Sequence, residues 1–123
     1  MLRPLLALIL VALSSPSTFA AASLNLGLDV TGDADIRTVV YGCGEGTDPL
    51  TVQYVNAEPN FLAIIPVEGR NRTFVNVVTA SGAKYVSGQY EWWDKGADAT
   101  LHDVTEGLDA APVLTCSQNV QTP

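Results

Sequence analysis

The chain has 123 residues and a formal net charge of −7 at pH 7, because 13 acidic residues outnumber six basic ones. This excess of carboxylates repels nucleic acid and anionic lipid and attracts basic partners, so we expect no nucleic-acid binding. The length allows one domain with one core, which makes one binding or catalytic site the expected maximum.

Residues 1–20 have the pattern of a secretory signal peptide. A start containing Arg3 precedes the apolar run Leu5–Leu13, and small residues follow at 18–22. The run is shorter than the roughly 20 residues that span a bilayer, so we expect a soluble exported product. Cleavage is predicted after Ala20, or alternatively after Ala22, and an uncleaved anchor is the competing interpretation. No cysteine lies near either point, which argues against a bacterial lipid anchor.

Removing this leader also removes Arg3, and the five remaining basic residues against 13 acidic ones give a net charge of −8. Residues 21–35 show no sustained period and are predicted to be a flexible acidic arm. The folded domain is predicted over 36–118, with a tail at 119–123. Its predicted strands are 36–42, 50–55, 61–67, 73–79, 83–87, 89–93, 97–102 and 113–116.

The strand pattern predicts an all-β fold. Leu50, Val52 and Tyr54 alternate with polar residues, which is typical of a strand with one buried face. The runs recur about every 10 residues, and only the acidic loop at 103–109 has room for a helical turn. An open sheet of this size leaves two unpaired edges, whereas closure removes them. We predict a small eight-stranded antiparallel β-barrel, with a two-sheet sandwich as the alternative.

Two cysteines, Cys43 and Cys116, both follow the leader. An even count in a small exported domain favours a disulfide, and two cysteines pair in only one way. Closing a loop of this length stabilises the fold by on the order of 4 kcal/mol. Two thiols and His102, the one histidine, do not make a four-ligand set, so no metal site is predicted.

The residues for catalysis are present but poorly arranged. Ser81, His102 and Asp103 supply the types of a nucleophilic triad, yet Ser81 lacks the glycine two positions earlier that a nucleophile elbow requires. Thirteen carboxylates make some glycosidase-like pair inevitable, so such a pair discriminates nothing. We therefore predict that the protein is not an enzyme and needs no cofactor.

Recognition explains the segment from Ala80 to Gly96 better. Ser81 stands at a predicted loop tip, and Lys95 follows two adjacent tryptophans, Trp92 and Trp93, in a turn predicted at 94–96. Adjacent strand residues point to opposite faces, so one tryptophan should lie inside the barrel and the other outside it or under a loop. Spacing alone favours the plainer interpretation that Ser81 and Lys95 only form turns.

Four stretches change that balance, because in this order they resemble the family of periplasmic and membrane-bound inhibitors of c-type lysozyme. They are VVYGC (39–43), TASGAKY (79–85), YEWWDKGADATL (90–101) and LTC (114–116). The resemblance covers nearly all of the predicted domain. It implies an eight-stranded antiparallel barrel and a competitive inhibitor whose serine loop enters the substrate cleft of lysozyme.

The resemblance also implies roles for individual residues. The family's cleft-inserting serine corresponds to Ser81 and its functional lysine to Lys95, while Gly82 and Gly96 match the glycines that shape the two loops. The motif aromatics, interpreted as structural supports, are Tyr85, Tyr90 and Trp93. Lys84 and Thr79 are mild departures from the residues that are frequent at their positions.

The function predicted from the resemblance is protection of a bacterial cell wall through inhibition of c-type lysozyme, a basic protein partner. Because no lipid-attachment cysteine is present, the resemblance implies the soluble periplasmic branch of the family, so we expect a periplasmic or secreted protein without a stable membrane anchor. The resemblance also implies a possible homodimer, since some members of the family are dimeric, and no residue here decides the oligomeric state. The alternative is a periplasmic or secreted envelope binding module that does not inhibit lysozyme.

Overall fold

The structure is a computed structural model, and it describes residues 12–16, 22 and 24–119. Eight antiparallel strands follow one another around a closed barrel, and the last strand pairs with the first. The strands are β1 (Asp35–Gly42), β2 (Leu50–Ala57), β3 (Asn60–Val67), β4 (Arg70–Val77), β5 (Ala83–Ser87), β6 (Tyr90–Lys95), β7 (Asp98–Asp103) and β8 (Leu114–Gln118). The predicted barrel is confirmed, and closure excludes the two-sheet sandwich.

Alternation along the strands determines which residues form the core. In β2, Val52 and Tyr54 are buried while Gln53 between them is exposed. In β6, Trp92 is fully buried and its neighbour Trp93 lies on the outer face, as the period of two predicts. The sequence pattern therefore predicts the two faces of these strands correctly.

Several strands are longer than predicted. β4 begins at Arg70, which pairs with Val67, and β6 continues to Lys95, which pairs with Asp98. Pairing satisfies backbone groups that would otherwise face water, so a strand extends into the polar residues flanking its apolar run. The turn between β6 and β7 consequently lies at 96–97 rather than at 94–96.

The helical turn expected in the acidic loop is a short 3-10 helix, Val104–Glu106, between β7 and β8. Asp103 caps its start, since the side chain accepts a hydrogen bond from the backbone N–H of Thr105. Hydrogen bonds from Thr105 and Gln89 hold the pKa of the Asp103 carboxyl below its usual value. This loop crosses one end of the barrel.

A polar network lies inside the apolar core. The hydroxyls of Tyr41 and Tyr54 are 2.7 Å apart, and the indole Nε1–H of Trp92 donates to the Tyr54 hydroxyl at 2.9 Å. Burial, together with the hydrogen bond to Tyr41, raises the pKa of Tyr54 far above its ordinary value. Among the described residues, every buried side-chain nitrogen and oxygen has a hydrogen-bond partner. The network therefore adds no unsatisfied polar group to the core.

The predicted disulfide joins Cys43 to Cys116, and their Cα atoms are 4.1 Å apart. It stands beside the seam where the barrel closes, at which Tyr41 pairs with Gln118 and Gly42 with Ser117. That seam has two register pairs, whereas β1 and β2 share seven. The covalent bond thus reinforces the least paired junction of the barrel.

The turns define two ends of the barrel. The site end carries the loop 78–82 between β4 and β5, the turn at 96–97 between β6 and β7, and the turn between β2 and β3. The far end carries the turns at 68–69 and 88–89, together with the loop that contains the 3-10 helix. The position of a residue along its strand therefore shows whether it lies nearer the site end or the far end.

Part of the predicted arm contacts the site end. Thr31 donates through its backbone N–H and its hydroxyl to the carbonyl of Glu58, and Asn60 donates to the carbonyl of Asp29. Most of the predicted leader, the cleavage point after Ala20 and residues 120–123 of the tail lie outside the described residues. Within the described part of the chain, no helix has the length and apolar character needed to cross a membrane.

Candidate functional site

Ser81 lies at the tip of the loop 78–82 and is exposed. Its backbone carbonyl accepts a hydrogen bond from the indole Nε1–H of Trp93 at 3.0 Å and another from the hydroxyl of Thr79 at 3.3 Å. The Ser81 hydroxyl itself has no hydrogen bond to any of the described residues. The loop is therefore held by its backbone, while the hydroxyl remains available to an external partner.

Gly82 allows the loop to approach β6 closely. Its φ of +66° lies in the left-handed region, and a Cβ added there would stand 2.4 Å from the carbonyl oxygen of Asp94. Such a contact is far shorter than atoms tolerate, so a larger residue would push the loop away from the strand. The expectation that this glycine shapes the loop remains a prediction, and the close approach supports it.

Lys95 ends β6 and is exposed beside the same loop. Its Nζ lies 3.8 Å from the ring centroid of Trp93, within the range of a cation–π contact. The chain then turns at Gly96, which has a φ of +87° and donates its backbone N–H to the carboxylate of Asp94 at 3.0 Å. One tryptophan thus contacts both the Ser81 backbone and the Lys95 ammonium.

A second lysine shares the Trp93 ring. Lys84 lies opposite Trp93 in the pairing of β5 and β6, and its Nζ is 4.3 Å from the ring centroid. Lys84 also forms an ion pair with Glu91 at 3.3 Å, whereas Lys95 has no carboxylate within 4.0 Å among the described residues. The Lys95 charge is therefore the less neutralised of the two.

The other two predicted supports lie deeper or farther away. Tyr85 belongs to the core and its ring centroid is 5.6 Å from that of Tyr54, behind the loop. Tyr90 begins β6 at the far end, where its hydroxyl donates to Glu68 and Arg72 stacks on its ring. The fold brings together Ser81, Gly82, Trp93, Lys95 and Gly96. Tyr90 instead lies about 17 Å from Lys95 along β6, at 3.4 Å per residue.

The structure does not assemble the triad considered from the sequence. His102 and Asp103 end β7 at the far end, opposite Ser81, and the His102 ring contacts the hydroxyl of Thr100. Asp103 is engaged in capping the 3-10 helix. Within the described residues, no group of three or more His, Cys, Asp or Glu side chains is placed to hold a metal.

Sequence reasoning missed Arg37. This residue lies on the inward face of β1, and its guanidinium carbon is 5.1 Å from the ring centroid of Tyr54. It lines a concavity of about 370 Å³ at the site end together with Gly82, Ala83, Asp94, Gly96, Ala97 and Gln118. Neither its sequence neighbours nor the motif spacing indicates that it shares a concavity with the two turns.

Comparisons with known proteins agree on one family. The family model described as membrane-bound lysozyme-inhibitor of c-type lysozyme matches residues 41–109. A protein of Cupriavidus necator, named membrane-bound lysozyme inhibitor of C-type lysozyme, is 38% identical over 94% of this chain and 95% of its own length. A Pseudomonas aeruginosa protein of the same name is 44% identical over 74% of this chain and 73% of its own length.

Two solved structures are similar to this barrel. One is the crystal structure of Pseudomonas aeruginosa MliC in complex with hen egg white lysozyme, with 40% identity and a TM-score of 0.65 over 80% of this chain and 98% of that chain. The other is PliC-St, the periplasmic lysozyme inhibitor of C-type lysozyme from Salmonella typhimurium. It has 29% identity and a TM-score of 0.54 over 68% of this chain and 96% of that one. Both solved structures are thus similar to this chain in sequence and in backbone structure.

Proposed function

The chain belongs to the family of membrane-bound inhibitors of c-type lysozyme, and we propose that it inhibits a c-type lysozyme by placing Ser81 and Lys95 in the enzyme's substrate cleft. The observation that carries the proposal is the arrangement at the site end. A free hydroxyl and a weakly neutralised ammonium belong to two residues that both contact one tryptophan, Trp93.

The chemistry of the target fits these two groups. Lysozyme works with one carboxyl that is protonated as the acid and a second that is ionised. The Ser81 hydroxyl can donate to the ionised carboxylate and accept from the protonated one at the same time. Lys95 can add a charge-assisted hydrogen bond to an acidic group in or beside the cleft. Neither group offers a glycosidic bond, so the cleft is occupied without turnover.

The charge distribution supports rapid association. The five basic residues outside the leader and 13 acidic ones give the mature chain a charge of −8, which attracts a basic enzyme over long range. Three of those five, Arg37, Lys84 and Lys95, nevertheless lie at the site end. The net negative charge therefore attracts a basic enzyme at long range. The cations at the site end can then interact with acidic groups of its catalytic cleft.

Relatives of this chain are named as membrane-bound or periplasmic inhibitors, which supports a location in the bacterial envelope. We infer that this chain is the soluble periplasmic kind, with a leader cleaved after Ala20 or Ala22. Both cysteines are used in the disulfide, which supports a mature form without a lipid-modified cysteine. The mass of the N-terminal peptide from the exported protein tests this inference, and an acylated or uncleaved N-terminus would contradict it.

Two substitutions test the site, each with a matched control. Ser81→Ala should weaken inhibition by about 1–3 kcal/mol, because it leaves buried carboxyl groups without their partner. Thr73→Ala removes an exposed hydroxyl from the outer face of β4 and should have no effect. Lys95→Ala should weaken inhibition, whereas Arg70→Ala removes the same charge at the far end and should not weaken it. Unchanged inhibition constants for both site variants would refute the assignment.

A further inference from the structure

Arg37 lines the same concavity as the two turns that carry the proposed inhibitory groups. Gly82 from the first turn and Gly96 from the second are among its other lining residues. If Ser81 and Lys95 enter a cleft, the part of the enzyme between their entry points faces this concavity. Arg37 is then within the surface that faces the enzyme.

The Arg37 guanidinium is oriented but chemically unengaged. It stacks over the buried Tyr54 at 5.1 Å, and among the described residues it has no carboxylate within 4.0 Å and no hydrogen-bond acceptor. Asp94 lines the same concavity, but its carboxylate accepts the backbone N–H of Gly96 within its own turn. An exposed guanidinium fixed by stacking loses little conformational freedom when it binds, because its planar fork is already positioned.

We propose that Arg37 is a third lysozyme-contacting residue, whose guanidinium donates hydrogen bonds to oxygen acceptors on the rim of the enzyme's cleft. The inference rests on the proposed function, since it assumes that the Ser81 and Lys95 turns face the enzyme. Carboxylates and backbone carbonyls share the acceptor chemistry, and a planar guanidinium can donate two parallel bonds to such oxygens. The contact acts after encounter and slows dissociation.

Association and dissociation rates of the full mature protein with a c-type lysozyme separate this contact from general electrostatics. Arg37→Ala and the control Arg70→Ala each remove one positive charge, so each should raise the association rate to a similar extent. Arg70 lines a different cavity, at the far end, and has no carboxylate within 4.0 Å in the described part of the chain. The control therefore matches Arg37 in charge and differs from it in position.

The dissociation rate decides the proposal. We expect Arg37→Ala to dissociate on the order of tenfold faster than the unmodified protein, while Arg70→Ala dissociates at the unmodified rate. Equal dissociation rates for the two variants would overturn the proposal. Arg37→Met keeps the apolar stem against Tyr54 without any donor, so it gives the same test if the alanine variant unfolds.

Three further variants identify the acceptor and the position of the interface. Arg37→Gln keeps a neutral donor, so a dissociation rate near that of the unmodified protein indicates carbonyl acceptors, and one as fast as for Arg37→Ala indicates a carboxylate. Ser81→Ala and Lys95→Ala are measured alongside. If they accelerate dissociation and Arg37→Ala does not, only the Arg37 contact is wrong, whereas loss of all three effects places the interface elsewhere.

Discussion

Trp93 is the residue through which the two proposed inhibitory groups are held, and Trp93→Phe tests that role. The substitution removes the indole N–H that donates to the Ser81 carbonyl at 3.0 Å, but it keeps an aromatic ring beneath Lys95 and Lys84. The hydroxyl of Thr79 then remains as the side-chain donor to that carbonyl. We expect the loop to become less ordered in the free protein while the barrel stays intact.

The size of the effect follows from the contacts that are lost. An intramolecular hydrogen bond of this kind contributes about 1 kcal/mol, and ordering one backbone residue on binding costs about 1–2 kcal/mol. Part of that ordering cost would move from folding to binding, so inhibition should weaken by about 1–2 kcal/mol, or roughly 5- to 30-fold. The free energy of unfolding should fall by only about 1 kcal/mol, because Trp93 lies outside the core.

The measurement is the inhibition constant against a c-type lysozyme for Trp93→Phe, Ser81→Ala and the double variant, with unfolding curves for each. If Trp93 acts by positioning Ser81, its substitution should have little further effect once the hydroxyl is absent, so the effects should be clearly less than additive. An inhibition constant for Trp93→Phe equal to that of the unmodified protein would refute this reasoning. Fully additive effects would show that Trp93 acts independently of Ser81.

Three more outcomes are expected. Gly82→Ala should weaken inhibition by more than about tenfold, while Gly46→Ala, with a similar positive φ and open space around it, should leave inhibition unchanged, and equal inhibition constants would contradict the close-approach argument. Replacing both Cys43 and Cys116 by Ser should lower the free energy of unfolding in denaturant by about 4 kcal/mol, and an unchanged midpoint would contradict a stabilising role. Because the pKa of Tyr54 is raised in the folded state, its stabilising contribution is present below the ordinary tyrosine pKa and should be lost as the pH rises above about 10; a stability that does not fall there would argue against its burial.

The barrel could be predicted from the sequence because apolar and polar residues alternate along its strands and glycines mark its turns. The buried position of Trp92 and the outer position of Trp93 follow from the period of two alone. The disulfide followed from the number of cysteines and the predicted export. The extension of β4 to Arg70 and of β6 to Lys95 was not predicted, because cross-strand pairing rather than local composition decides where a strand ends.

The contacts within the site could not be predicted from the sequence to the same extent. The motifs pointed to Ser81 and Lys95, but the hydrogen bond from Trp93 to the Ser81 carbonyl joins residues 12 positions apart and depends on the packing of the loop on β6. Arg37 was missed because only the closure of the barrel brings this residue of β1 into one concavity with two turns from distant parts of the chain. Both features arise from tertiary structure.

The most direct test of the account is a titration of cell-wall lysis by a c-type lysozyme with the purified, disulfide-bonded mature protein at low and at high salt. The account predicts stoichiometric inhibition at low salt that weakens as salt screens the attraction between the acidic inhibitor and the basic enzyme. Lysis that proceeds at the uninhibited rate at both salt concentrations would contradict the central claim and would favour an envelope binding module that does not inhibit lysozyme.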